Sequence, residues 1–407
     1  MRNADWSTGI FAVAVALVFA TPSSAQEGCS DWFKSGAARW EEPQDTRMAL
    51  LEPDCYAWRL FFALNWPADV GAKAPDSSKA FGVVDGPVVW ETWRNAKNQA
   101  SDTAFPLDGS DPGEWLSAPT IAMRTVDDID AQPLQQVEAL KVMFGEDTPI
   151  PGFDEDATDG NNETRLNRET YEFVRANSLY NLDGQQALFD SGQASISFPA
   201  MAKEIKAQWR EISEADKPRY HWTEITTPSG NTVFGLTALH ITTKDLPNWL
   251  WATFEHIDNK PSEADGGRPG NIGWKLPSVD RFACAAPPHD CDLAPAGIGL
   301  QGTKWENYRL RGTQVDFVDT RGNVTLLANS QPESTFQETS SCITCHALST
   351  IGANAERIQF FKFGPAGLAG YVGAPDPELF RDASTGKSAY TQLDFVWSLF
   401  RVQPKSQ

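Results

Sequence analysis

After its first twenty residues the chain has no long apolar run, and after Met201 it has no methionine. Each absence excludes something. A bilayer-spanning helix needs about 20 consecutive apolar residues, so no segment beyond the N-terminus is expected to cross a membrane. Basic residues are also scarce. Against 54 Asp and Glu stand 34 Lys and Arg, a formal net charge of -20, which argues against nucleic acid or an anionic membrane as partner. Internal repeats are missing, and the acidic stretch Asp154 to Gly160 does not make a calcium loop. An EF-hand needs glycine where Asp159 stands and glutamate where Arg165 stands, so a solvated loop is expected there.

What is present begins with Ile10 to Ala20, an apolar run preceded by Arg2 and followed by small residues at Ser23 and Ala25. That pattern predicts a signal peptide over residues 1–25 and a periplasmic or secreted product with no membrane span after cleavage. The alternative, a membrane anchor, needs a longer run. The 407 residues, 41 % hydrophobic with fifteen tryptophans, suffice for a large core in one domain or two.

The densest chemistry lies in Cys342-Ile343-Thr344-Cys345-His346. Two thiols so spaced add across the two vinyl groups of one haem, and the adjacent imidazole becomes the proximal ligand of its iron. A zinc site would need a second ligand pair at metal spacing, and Cys284 and Cys291 fit poorly. A redox dithiol would need the motif to open a helix after a buried strand, whereas Glu333 to Ser341 reads as polar loop. The motif occurs once, so one covalent haem c is expected, bound by Cys342, Cys345 and His346. The other cysteines suit an oxidising compartment, the simplest pairing being Cys29 with Cys55 and Cys284 with Cys291 among three connectivities.

The sixth iron position is harder to read. No methionine follows the motif, so the ligand of small electron-transfer cytochromes is missing. The candidates lie upstream: His221, His240, His256 and His289, or Met48, Met123, Met143 and Met201. Two β-rich runs, Thr232 to Thr242 and Asn248 to Ile257, predict a hairpin. In it His240 lies near the turn and His256 on the order of 20 Å away, at ~3.3 Å per residue, so at most one serves the haem. His256 alternates with Leu250, Ala252 and Phe254 and is the favoured metal ligand. His240 alternates with Phe234, Leu236 and Ala238 and ranks second; His289 is expected to be exposed.

Other expectations follow from pattern. Asp54 to Trp66 predicts a buried helix stopped by Pro67, and Val88 to Trp93 a second short element. Lys203 to Ile212 reads as strand or short helix. A further hairpin is expected over Gln314 to Val318 and Val324 to Ala328, and a terminal helix over Gln392 to Arg401. The fold class is α+β: a mixed, strand-rich region over residues 26–330, packed around the haem, and a cytochrome c-like haem-attachment region over 331–407.

Several segments together resemble large exported bacterial c-type cytochromes: Ala63 to Pro67, Val89 to Trp93, Lys206 to Arg210, Trp251 to Asn259 and the haem motif itself. Position by position, the resemblance implies haem linkage at Cys342 and Cys345 and iron ligation at His346, and it names no substrate. The function expected is a periplasmic monohaem electron-transfer protein with a redox partner protein. The alternative is a haem enzyme of peroxidase or oxygenase type, with an open iron position, a small-molecule substrate and Glu255, His256 or Arg210 as acid or base. A single electron-transfer haem needs only about 100 residues of protein, and this chain is several times longer. A haem-bearing sensor is a third class.

Overall fold

The computed structural model describes residues 39–83, 85–117, 124–125, 161–227, 230–259, 297–319, 321–333, 336–358, 361–364 and 367–406. The expected signal peptide over residues 1–25, the acidic run at 154–160, and Cys284, His289 and Cys291 lie outside them. Cys342 and Cys345 are free thiols, and Cys55 is disulfide-bonded to a cysteine outside the described residues.

Residues Pro53–Leu64 form helix α1. Pro53 sits in its first turn, where a missing N–H costs nothing, and Asp54 complements the positive end of the helix dipole. All its other residues are buried, which is the pattern of a core helix rather than a surface one. Asn65 ends it, donating to Phe61 O at 2.8 Å and accepting from Trp90 Nε1 at 3.0 Å. The second short element is a 3-10 turn, Val89–Thr92.

A large sheet carries the fold. Its strands are β1 (Arg94–Asn95), β2 (Arg124–Thr125), β3 (Asn161–Leu166), β4 (Lys203–Glu211), β5 (Trp222–Thr227), β6 (Gly230–Thr243), β7 (Leu250–His256) and β8 (Tyr308–Gln314). The spatial order is β8-β7-β6-β4-β3-β1, with β5 on the outer half of β6 and β2 on β5. All these pairings are antiparallel except β2 with β5. The chain is therefore α+β, as expected. The 203–212 segment is a strand, and β6 with β7 forms the expected hairpin.

Alternate residues of β4, β6 and β7 make two contrasting faces. Ile205, Ala207, Leu239, Ile241, Ala252 and Phe254 point to α1 and are buried. There Phe254 meets Phe61 at 4.5 Å between ring centroids and Trp58 at 5.0 Å. Aromatic pairs of this kind contribute about 0.5–1.5 kcal/mol each beyond the area they bury. The opposite face carries Glu204, Lys206, Gln208, His240, Thr242, Trp251, Thr253 and Glu255. Glu255 and Thr253 are fully buried there, so this polar face is not the solvent face that strand alternation normally produces.

The cover over the polar face comes from residues 325–346 and 393–398. Asn329 donates to Thr253 Oγ1 at 2.7 Å, Ser330 Oγ donates to Glu255 at 2.8 Å, and Ser398 Oγ donates to Glu204. The expected hairpin at 314–328 exists only as a turn with a single Val318–Val324 bridge, because Gln314 and its strand pair with β7 instead. Two helices, α2 (Arg168–Ala176) and α3 (Leu182–Asp190), follow β3. The C-terminal stretch holds a short helix, α4 (Cys342–Ala347), and the small antiparallel pair Thr350–Gly352 with Tyr390–Gln392. The terminal helix expected from Gln392 is shortened to a 3-10 turn, Trp397–Arg401. Asp394 and Phe395, at φ 48° and 70°, interrupt it.

Candidate functional site

Helix α4 places Cys342, Cys345 and His346 on the polar side of the sheet. Of its six residues Ile343 and Thr344 are buried, whereas Cys342, Cys345, His346 and Ala347 are half-buried. Positions i, i+3 and i+4 share a helix face, so both thiols and the imidazole open in the same direction. Gln314, at the end of β8, pins the helix start. Its side-chain oxygen accepts the Ile343 N–H at 3.0 Å, one of the donors a helix leaves unsatisfied, and its amide donates to Ser341 Oγ at 2.9 Å. At the other end Trp397 Nε1 donates to Cys345 O at 3.2 Å.

His346 is fixed by three contacts. Its Nδ1 lies 2.8 Å from Phe395 O, a geometry in which Nδ1 carries the proton and donates. The tautomer leaves Nε2 as the lone-pair nitrogen, the arrangement ligating histidines adopt. Trp251 packs against the ring at 4.4 Å between centroids, and Trp397 meets it edge-on at 6.2 Å. Burial pushes the His346 pKa down to about 3, so the ring is neutral, as metal ligation requires.

The acceptor is held by strained backbone. Asp394 and Phe395 both occupy the left-handed region, at about 1–3 kcal/mol each for non-glycine residues. Asp394 secures the bend: its carboxylate takes the Lys244 ammonium at 2.6 Å and the Phe198 N–H at 2.7 Å. The bend turns Phe395 O onto His346.

The thiols are held neutral. Burial raises the Cys342 pKa well above the ordinary value, with the Glu333 charge adding to the effect, and the same causes push Cys345 up to about 12. A dithiol oxidoreductase needs the reverse, a thiol pKa lowered to create thiolate. Among the described residues no group of three or more His, Cys, Asp or Glu converges to hold a metal ion, so nothing there completes a zinc site around this pair.

Facing the thiols and His346 is a set of ionisable side chains. His240 and Lys206 are directly opposite each other on β6 and β4, and Glu333 reaches in from the covering segment. His240 Nε2 lies 3.7 Å from Glu333 Oε2, beyond hydrogen-bond reach, and has no hydrogen-bond partner. Leaving a buried polar atom so costs about 1–3 kcal/mol. Burial, then the charges of Lys206 and His346, bring the His240 pKa down to about 3. The two imidazoles thus lie within electrostatic reach of each other. Burial raises Glu333 to about 7, against the pull of Lys206.

His256, the favoured candidate ligand, lies elsewhere. Its side chain points inward, as the alternation implies, but inward here means the α1 face. The ring stacks on Tyr220 at 3.6 Å, Nε2 donates to Arg219 O at 3.0 Å, and Nδ1 accepts the Asp258 N–H at 3.2 Å. Five residues of β7 separate it from Trp251, the contact of His346, or roughly 17 Å. Arg210 sits beside Tyr220, with His256 and not with the thiols. Glu255 is on the polar face, bonded to Ser330 and 3.6 Å from Arg311 Nε.

His240 comes within electrostatic reach of His346 for a reason the alternation hid. Gln208 pairs with Ala238 but Trp209 pairs with Leu236, so Thr237 is a bulge in β6. Phe234 and Leu236 therefore do not share a face with His240. His221 is also placed apart, its Nε2 3.0 Å from Glu91 Oε2 and its ring stacked on Trp305. Lys206, Glu333 and the Phe395 carbonyl were not singled out from sequence. The alternation of Glu204, Lys206 and Gln208 with apolar neighbours was legible, but it normally marks a solvated side. No family model matches the chain, and no curated protein or solved structure matches it either.

Proposed function

We propose that this chain is an exported monohaem c-type cytochrome: one haem c linked to Cys342 and Cys345, with His346 on the iron and single-electron transfer as its activity. The observation that carries the reading is the His346 Nδ1–Phe395 O hydrogen bond beside two neutral thiols that open in the same direction. It supports an imidazole oriented and tautomerised for ligation before any metal is bound. The donor set fits haem: two thiols for thioether bonds, a free imidazole nitrogen, and Trp251 and Trp397 flanking it. When bound, haem supplies a one-electron redox centre whose potential the protein tunes through ligands, burial and nearby charge. Lys206 and Glu333 are the nearby ionisable groups that would do so. A periplasmic location and a redox partner protein belong to the same proposal, and the net charge of -20 suits a basic partner.

One observation favours a second reading, a haem enzyme. The buried polar face places His240 and Glu333 together near the motif, and such a pair could move protons to a substrate. Optical spectra of the purified protein separate the two. Electron transfer predicts low-spin spectra in ferric and ferrous states, unchanged by carbon monoxide or peroxide. A high-spin ferrous form that binds carbon monoxide readily would overturn electron transfer in favour of the enzyme.

A further inference from the structure

We propose that His240 is the distal iron ligand, giving a haem held between two imidazoles, His346 from helix α4 and His240 from strand β6. The assignment rests on the reading that Cys342 to His346 carries haem c, and it adds a residue on the opposite side of the iron.

Three observations converge. First, the Thr237 bulge turns His240 to the polar face, where Trp251, one strand over, packs on His346. Second, His240 Nε2 is buried without a hydrogen-bond partner, and Glu333 at 3.7 Å is too far to supply one. Buried imidazole nitrogens are normally satisfied, so an unpartnered ring nitrogen within electrostatic reach of His346 suits a metal ion held between the two rings. Third, the other described histidines are committed. His256 uses both nitrogens, and His221 is engaged with Glu91 on another part of the core. No methionine lies beyond the motif. The groups facing His240 are Lys206 from β4, Thr253 from β7 and Glu333 from the covering segment. None of them brings a second neutral imidazole.

The test uses the full exported protein carrying its haem. Pyridine haemochrome of the denatured protein first establishes covalent haem, independently of the distal ligand. Near-infrared magnetic circular dichroism and electron paramagnetic resonance of the ferric wild type should then show a low-spin bis-imidazole signature. His240→Ala should lose it, become high-spin and bind azide, while His256→Ala keeps the wild-type spectrum. His240→Met should remain low-spin with the signature of a histidine–methionine pair. Covalent haem with a high-spin wild type, or a low-spin signal that survives His240→Ala, overturns the assignment and leaves the haem reading intact. Should the alanine variant fail to fold, His240→Met decides: a bis-imidazole signature that survives it overturns the assignment. A protein with no covalent haem overturns both.

Discussion

The two faces of the central sheet are built from alternate residues of the same strands, yet they are buried for different reasons. The α1 face is dry and apolar, and its packing of Phe61, Trp58 and Phe254 accounts for itself. The other face buries Glu204, Glu255 and Thr253 and leaves the His240 ring nitrogen without a hydrogen bond. Burying ionisable groups costs free energy that no local packing returns, so such a face signals chemistry. His240 and His256 illustrate the contrast. Both belong to one hairpin; one is bonded at both nitrogens among aromatic rings, and the other has a buried ring nitrogen without a hydrogen bond, within electrostatic reach of His346.

Cutting into the dry face gives the largest effect expected on stability alone. Phe61→Ala removes a fully buried ring that touches Trp58, Phe254, Trp305 and Tyr308, and should cost about 3–5 kcal/mol in chemical denaturation. The spectrum of the proposed haem should not change in the folded fraction. A spectral change would show that the two faces are not independent.

The polar face gives a pH signature. Burial raises Glu204 to about 7 even though Ser398 donates to it. A carboxyl with a raised native pKa binds its proton more tightly when folded. Its contribution is therefore full below the unfolded value near 4.5 and is lost as pH rises through about 7. Glu204→Gln should flatten the loss between pH 5 and 8, by on the order of 2–3 kcal/mol at the alkaline end. Equal slopes for variant and wild type in urea melts would count against that burial.

His256→Ala is the smallest change. It removes the Tyr220 stack and the Arg219 hydrogen bond and should cost about 1–2 kcal/mol by thermal or chemical melting. The spectrum of the proposed haem should stay as in the wild type, which sharpens the separation of the two histidines.

Much of the dry face was legible. The all-apolar run around Phe61 specifies a buried helix, and the β-rich runs on either side of Asp245 specify the hairpin, because both rest on local periodicity. The Cys342–His346 spacing was legible as two thiols and an imidazole on one short element, and the structure places them on one helix face. The groups that face them were not legible, for three physical reasons. The Thr237 bulge breaks a period-two pattern that looks continuous on paper. The pairing of Gln314 and its neighbours with β7 is a choice between distant partners, which adjacent residues do not encode. The bend at Asp394 and Phe395 uses left-handed backbone at residues with no glycine to announce it. It is that bend which delivers the carbonyl to His346.

The most direct measurement is mass spectrometry of the peptide containing Cys342 to His346, from protein exported in cells that mature c-type cytochromes. The account predicts one haem per chain, covalently held on that peptide and lost in the Cys342→Ala, Cys345→Ala double variant. The same peptide recovered without haem, as free thiols or as a Cys342–Cys345 disulfide, would contradict it.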